Sequence, residues 1–271
     1  MEKIDLIGFN DLPDNISAQI QNAVDIWKAH IEDKLIGVYL HGSIALGAFC
    51  SDVSDIELLI VIDTDLSPEK RVEIAADIIK LNASPCPLEI SAVKLDDLKN
   101  WKDPGKCAFH YSSFWTESYL KRMEDPNAYC LIADSDFPDH DVTSHIRLIK
   151  EHGITLYGCE INDIFPTISD EEFWSAISYD IEGYDFYAYD MRCLAGNILT
   201  LGRILAFKRE KKILSKYEAG IRMLEYLPQN LKYIPLKALK ARFLNEECTE
   251  TDFPEEDLEA MRELLIKEIL E

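Results

Sequence analysis

From Ile56 to Ile62 the chain is apolar at every position except Glu57. A run of that length and aliphatic content reads as a strand buried within a sheet, which narrows the fold to layers of sheet and helix. The flanking segments agree. Ile36 to His41 reads as a strand running into Gly42-Ser43, and Leu88 to Val93 as a third strand after Pro87. Ser67-Pro68 carries the cap-then-proline start of a helix that extends to about Leu81. Upstream, Ile16, Ile20, Ala23, Val24 and Trp27 are spaced for one apolar face of a helix. Strand, strand, helix, strand within about 60 residues predicts a compact α/β domain with a mixed sheet. After Lys94 helical patterns dominate: from about Asp141 to Glu151, Asp170 towards Arg209, Ser215 to Tyr226, Leu236 to Leu244, and one more after Phe253-Pro254. The loop-like run Asp134-Ser135-Asp136-Phe137-Pro138-Asp139 separates the two patterns. The expected organisation is an α/β domain over residues 1–136 and an all-helical bundle over 137–271.

Asp55 and Glu57 stand two apart at the mouth of the apolar strand, so their side chains leave one face. Like charges held side by side are unfavourable unless something positive lies between them. Magnesium fits that place, because it takes oxygen ligands and is held by one or two carboxylates together with substrate phosphates. Gly42-Ser43 follows the preceding strand, where a glycine lets backbone and hydroxyl approach a phosphate closely. Glu89, near the start of another core strand, is unexpected on packing grounds. If that strand lies beside the Asp55 strand, three carboxylates converge: two to hold metal, and one to take a proton from an attacking hydroxyl. Each piece alone is an ordinary turn or loop edge. Their order and spacing together point to phosphoryl-type chemistry.

Charge sharpens the choice of ligand. A net charge of −22 repels nucleic acid and anionic membrane and attracts cations, though acidity also serves solubility. From Cys159 to Met191 there is no lysine or arginine but nine acids, interleaved with aromatics such as Trp174, Tyr184 and Tyr189. Downstream the sign reverses: Arg203, Lys208, Arg209, Lys211, Lys212 and Lys216 face the single acid Glu210. Such neighbours could hold two ligands of opposite charge, although charge runs are more often solvated faces. No stretch approaches the roughly 20 apolar residues that span a bilayer, and the N-terminus lacks a secretion signal. Seven scattered cysteines without a C-x-x-C pair argue against a disulfide framework and a zinc site. A cytoplasmic protein with reduced thiols is expected. The six histidines show no metal-binding spacing; His140 and His145 read as part of a helix start, and His110 has no assignable mechanism.

The segment Gly37-Val38-Tyr39-Leu40-His41-Gly42-Ser43, followed by Ser54-Asp55-Ile56-Glu57-Leu58-Leu59-Ile60-Val61, resembles the signature of the DNA polymerase β-like nucleotidyltransferases. With Pro87-Leu88-Glu89-Ile90, Trp115, Leu199-Thr200-Leu201-Gly202-Arg203 and Lys216 to Pro228, the chain looks like the streptomycin/spectinomycin group of aminoglycoside adenylyltransferases. The resemblance implies a nucleotidyltransferase domain followed by a helical substrate-binding domain, and AMP transfer from Mg-ATP to a drug hydroxyl, giving antibiotic resistance. It makes Asp55 and Glu57 the magnesium ligands and Glu89 the general base. It places Gly42, Ser43, Ser54, Asp141, Arg203 and Lys216 at the nucleotide. Trp115 falls where the family sets an aromatic against its drug. Counting back from Arg203 brings Tyr184 and Tyr189, with Asp185 beside them, to the acceptor. ATP and a cationic small molecule are the expected partners of a monomer. Another acceptor, such as a lincosamide or a protein side chain, or a non-catalytic nucleotide-binding regulator, stays open as an alternative.

Overall fold

Ile16, Ile20, Ala23, Val24, Trp27 and Ile31 turn inward from the first helix, α1 (Asp14–Ile31), as their spacing requires. The computed structural model describes residues 6–179, 181, 191–244, 246, 249 and 252–271. Strand β1 (Leu35–Leu40) ends in a one-turn helix, α2 (Gly42–Ala45), and a loop leads to β2 (Ile56–Ile62). Helix α3 (Pro68–Leu81) starts where the sequence predicts, with the Ser67 hydroxyl accepting the Lys70 N–H at 3.2 Å. It carries the chain over to β3 (Leu88–Lys94), which therefore runs parallel to β2. Next come α4 (Leu95–Lys99), β4 (Gly105–Cys107), β5 (Phe109–Tyr111), α5 (Thr116–Glu124) and α6 (Leu131–Asp134). They are followed by β6 (Phe137–Asp139), α7 (His140–His152), β7 (Ile154–Gly158), α8 (Ile161–Ile164) and α9 (Asp170–Ser178).

The main sheet has the order β5-β3-β2-β1-β7, and only the central β2–β3 pair is parallel; β4 and β6 form a separate pair. One face of the sheet carries Ile56, Leu58, Ile60 and Ile62 from β2 and Leu88, Ile90 and Ala92 from β3. These form a core with α1 and α3, through residues such as Trp27 and Ile74. Among the polar side chains buried in this unit, Gln19 and Arg71 tie elements together. Gln19 of α1 donates to the carbonyls of Leu81 (3.0 Å) and Cys86 (2.7 Å) and accepts from Cys86 N–H (3.0 Å), which pins the loop leading to β3. Arg71 of α3 donates to the carbonyls of Ala108 (2.7 Å) and Ala133 (3.1 Å) and to the Asp136 carboxylate.

The structure divides into a unit spanning Ile7–Ala176 and a second containing the described residues from Ile177 onward together with Leu6. The α/β unit thus extends well past the break that loop composition suggested at 136/137. The segment around Pro138 forms the short strand β6 rather than a linker, and β7 closes the sheet against β1. Beyond the boundary come α10 (Met191–Glu210), α11 (Lys216–Tyr226), α12 (Tyr233–Phe243) and α13 (Glu255–Leu270), so the second unit is helical. Ser215 and Glu218 form a complete capping box at the start of α11. Helices α10, α11 and α12 approach closely at Gly220, where a Cβ would lie 2.7 Å from side-chain carbons of Leu199 and Leu239. Among the described residues no helix is long and apolar enough to cross a membrane.

Candidate active site

Because Ile56 and Leu58 point into the core, Glu57 between them points to the opposite face of the sheet. Glu57 and Glu89 are register partners on the parallel strands β2 and β3, and so lie side by side on that face with their strands about 4.8 Å apart. Ile56 N–H donates to the Pro87 carbonyl (2.9 Å), extending the pairing to the strand ends, and Asp55 precedes it. On the other flank of β2, His41 N–H donates to the Glu57 carbonyl (3.1 Å), which sets the end of β1 level with the carboxylates. The Gly42–Ser43 turn, Asp55, Glu57 and Glu89 thus gather at one end of the sheet. The three carboxylates singled out in the sequence share that end.

The turn and the carboxylate fit one another closely. Gly42 has φ +67°, and a Cβ there would sit 1.5 Å from Glu57 Oε2, so a side chain would strain the backbone and push the carboxylate aside. Ser43 N–H donates to the same oxygen at 3.1 Å, whereas Ser43 Oγ is buried with no hydrogen-bond partner. Ser54 is buried, and its hydroxyl accepts the Cys50 N–H (3.1 Å) while its own N–H returns to the Cys50 carbonyl (2.8 Å). It shapes the loop that delivers Asp55. Among the described residues no three His, Cys, Asp or Glu side chains are gathered to hold a metal unaided.

Several neighbours escape a reading by sequence. Asn82 accepts the Leu88 N–H (2.8 Å) and donates to Ser113 Oγ (3.2 Å), tying the start of β3 to the 3-10 turn Ser113–Trp115. Trp115 is half-buried and packs on the α1/α3 core; the exposed ring of this turn is Phe114, edge-on to it at 5.1 Å. Ser91 and His110 are register partners and hydrogen-bond at 3.0 Å. Burial holds the His110 pKa below its usual value; Asp139 and Asp141 oppose this, and His145 adds to it. Asp141 stands exposed in the first turn of α7, its N–H held by Asp139 Oδ1 at 2.9 Å. His41 is fully buried, its ring 4.5 Å from that of His145. These contacts cross between strands and helices, so no local pattern announces them.

In the helical unit, Arg203 Nε donates to the Leu214 carbonyl (3.0 Å), and Lys216 opens α11 directly after its cap. The basic run is partly spent on structure. Lys208 donates to the Ile269 carbonyl (2.7 Å), and Arg209 pairs with Glu268 of α13. The start of the acidic stretch is likewise engaged: Asp170 meets Arg147 at 3.1 Å, and Glu172 accepts from Trp101 Nε1 at 3.1 Å. Tyr184, Asp185 and Tyr189 lie outside the described residues.

Residues 163–268 match the family model of the aminoglycoside adenylyltransferase C-terminal domain. Spectinomycin 9-adenylyltransferase of Campylobacter jejuni is 25% identical over 271 residues, 98% of each chain. The chain is similar to these adenylyltransferases. The aminoglycoside (3'') (9) adenylyltransferase of Escherichia coli is 24% identical over 241 residues, 86% of this chain and 87% of that one. A crystal structure of spectinomycin adenyltransferase AAD(9) from Enterococcus faecialis, with ATP and spectinomycin, matches with a TM-score of 0.80. Identity there is 21%, and the match covers 94% of this chain and 99% of that one. The shared fold is an α/β unit followed by helices.

Proposed function

We propose that this protein transfers AMP from Mg-ATP to a hydroxyl of an aminoglycoside of the streptomycin/spectinomycin class, and that the transfer confers resistance. The observation that carries the reading is the register pairing of Glu57 with Glu89 beside the Gly42–Ser43 turn. Asp55 and Glu57 would hold magnesium. They match its habit of taking one or two protein carboxylates and completing its shell with water and phosphate oxygens. The donor set is all oxygen, and the glycine cradle and the unpartnered Ser43 hydroxyl offer a phosphate its contacts. The bound ion supplies charge neutralisation on the phosphates.

The chain's own groups divide the remaining work. Glu89 accepts the proton of the acceptor hydroxyl as that oxygen attacks the α-phosphorus and pyrophosphate leaves. Ser43 N–H and Oγ turn to phosphate oxygens, and Ser54, in the loop that brings Asp55, borders the nucleotide with them. Arg203 and Lys216 neutralise the triphosphate, and Asp141 borders the nucleotide. The acceptor's ammonium groups are drawn by acids of the helical half, with Asp185, Tyr184, Tyr189 and Trp115 as its contacts.

Release of pyrophosphate from ATP in the presence of spectinomycin or streptomycin, dependent on magnesium, tests the reading. Glu89→Gln should bind Mg-ATP normally yet turn over about 100- to 10,000-fold more slowly, the range of a lost general base. Undiminished transfer by that variant would remove Glu89 from the reaction. Pyrophosphate release only with a lincosamide or a protein would reassign the acceptor.

A further inference from the structure

His41 is 1% exposed, and neither of its ring nitrogens has a hydrogen-bond partner. A neutral imidazole carries one N–H and one bare lone pair. Leaving such groups buried and unpaired costs stability that an apolar ring of the same shape would not. A buried ring with no partner for a second proton stays neutral. A buried polar ring without a hydrogen bond calls for another reason to be there.

Its surroundings supply one. Strand alternation puts His41 on the sheet face of Glu57, opposite Leu40 and the core. Its ring lies against His145 of α7 at 4.5 Å, tilted by 37°. The next two residues are Gly42 and Ser43, and the Ser43 hydroxyl is also buried without a partner. A four-residue helix such as α2 has little stability of its own, so packing holds this turn. A serine hydroxyl that gives its hydrogen to a phosphate oxygen has lone pairs left to accept a donor. A neutral imidazole N–H two residues away is such a donor, and a chain of two hydrogen bonds strengthens each of them.

We propose that His41 is a positioning residue for the nucleotide phosphates, its ring N–H supporting the Ser43 hydroxyl, directly or through one water, when that hydroxyl turns to a phosphate. The proposal rests on the nucleotidyltransferase reading. The role trades stability of the unliganded chain for nucleotide affinity, and that opposition separates it from simple packing.

Titration calorimetry with Mg-ATP and thermal unfolding, run on the full chain without an acceptor, test it. His41→Phe keeps the ring's shape and removes both nitrogens. It should melt at or above the wild-type temperature yet bind Mg-ATP about tenfold more weakly, the worth of one hydrogen bond. In a Ser43→Ala background the same change should cost nothing further, because the two residues act as one unit. Wild-type affinity in His41→Phe, or a loss fully additive to that of Ser43→Ala, overturns the proposal. If His41→Phe does not fold, His41→Leu enters the same cycle, and failure of both to fold makes the ring a packing element and overturns it too. A wild-type chain that binds no Mg-ATP overturns the nucleotidyltransferase reading and this inference with it. Normal wild-type binding with an indifferent His41→Phe overturns the inference alone.

Discussion

In the α/β unit the candidate residues are placed by strand register, whereas in the helical unit they stand on separate helices. In the first, one pairing of β2 with β3 sets Glu57 beside Glu89, and one glycine lets the end of β1 close on the same carboxylate. In the second, Arg203 and Lys216 sit on α10 and α11, and each has its place determined by local caps and helix packing. Yet the family model covers residues 163–268 and so lies mostly on the helical unit, away from the carboxylates. The family model therefore says little about the candidate carboxylates, although the Campylobacter jejuni relative aligns over 98% of this chain. A fault in the α/β unit should therefore stop chemistry with little loss of stability. A fault in the helical unit should appear first as lost stability.

The largest effect is expected at Gly42. An alanine there would place its Cβ 1.5 Å from Glu57 Oε2 at a φ of +67°, so turn and carboxylate must separate. Displacements of about 1 Å at a reacting centre cost on the order of 100-fold in rate. Gly42→Ala should thus lose at least that much pyrophosphate release while keeping native circular dichroism. A fully active Gly42→Ala enzyme would break the comparison, because the tight fit of turn and carboxylate would then be idle.

The counterpart in the helical unit is Gly220. In an exposed helix a larger residue would improve propensity. Here a Cβ meets Leu199 and Leu239 at 2.7 Å, and the bundle must part to admit it. Gly220→Val should cost about 1–3 kcal/mol, the usual price of overpacking, read by chemical denaturation. Equal stability of mutant and wild type would mean that α10 and α12 yield freely, and the contrast between the units would lose its second half.

Legibility in the sequence follows the same division. The Ile56–Ile62 strand and the Pro68–Leu81 helix appear with the bounds expected, because apolar continuity and a cap-then-proline start are local signals. The strands β4, β5 and β6 are three residues each and have no period to detect, and β7 lies half-exposed at the sheet edge. Reading Pro138 as a linker moved the domain break for the same reason: β6 exists through its pairing with β4, far away in the chain. The carboxylates were legible because charge inside an apolar strand is conspicuous. Asn82, Ser91, His110 and the unpaired ring of His41 were not, since a hydrogen bond across strands leaves no mark on spacing. Trp115 illustrates the converse: a resemblance located the residue, but its half-buried ring rests on the core and Phe114 is the one exposed.

Acid should separate the two units by the smallest margin, and in a predictable order. In the α/β unit, burial keeps the His110 pKa below that of the unfolded chain. As pH falls through about 6.5 the unfolded state takes up the proton first. The stability this unit has above that pH therefore declines, by at most about 1.4 kcal/mol per pH unit for one proton. In the helical unit, the Lys237 ammonium, 2.6 Å away, and the Thr249 N–H hold the Asp252 pKa down at about 2. That contribution is intact above the ordinary aspartate value and disappears only as pH falls towards 2. All four tryptophans, Trp27, Trp101, Trp115 and Trp174, precede Ile177, so their fluorescence reports the α/β unit, while far-ultraviolet circular dichroism sums the helices of both units. Between pH 6.5 and 4.5 the tryptophan melting temperature should fall before the one read by circular dichroism, and His110→Asn, which keeps a partner for Ser91, should flatten the fall. Coincident transitions at every pH would show the two units unfolding as one, and their separate chemistries would then share a single stability.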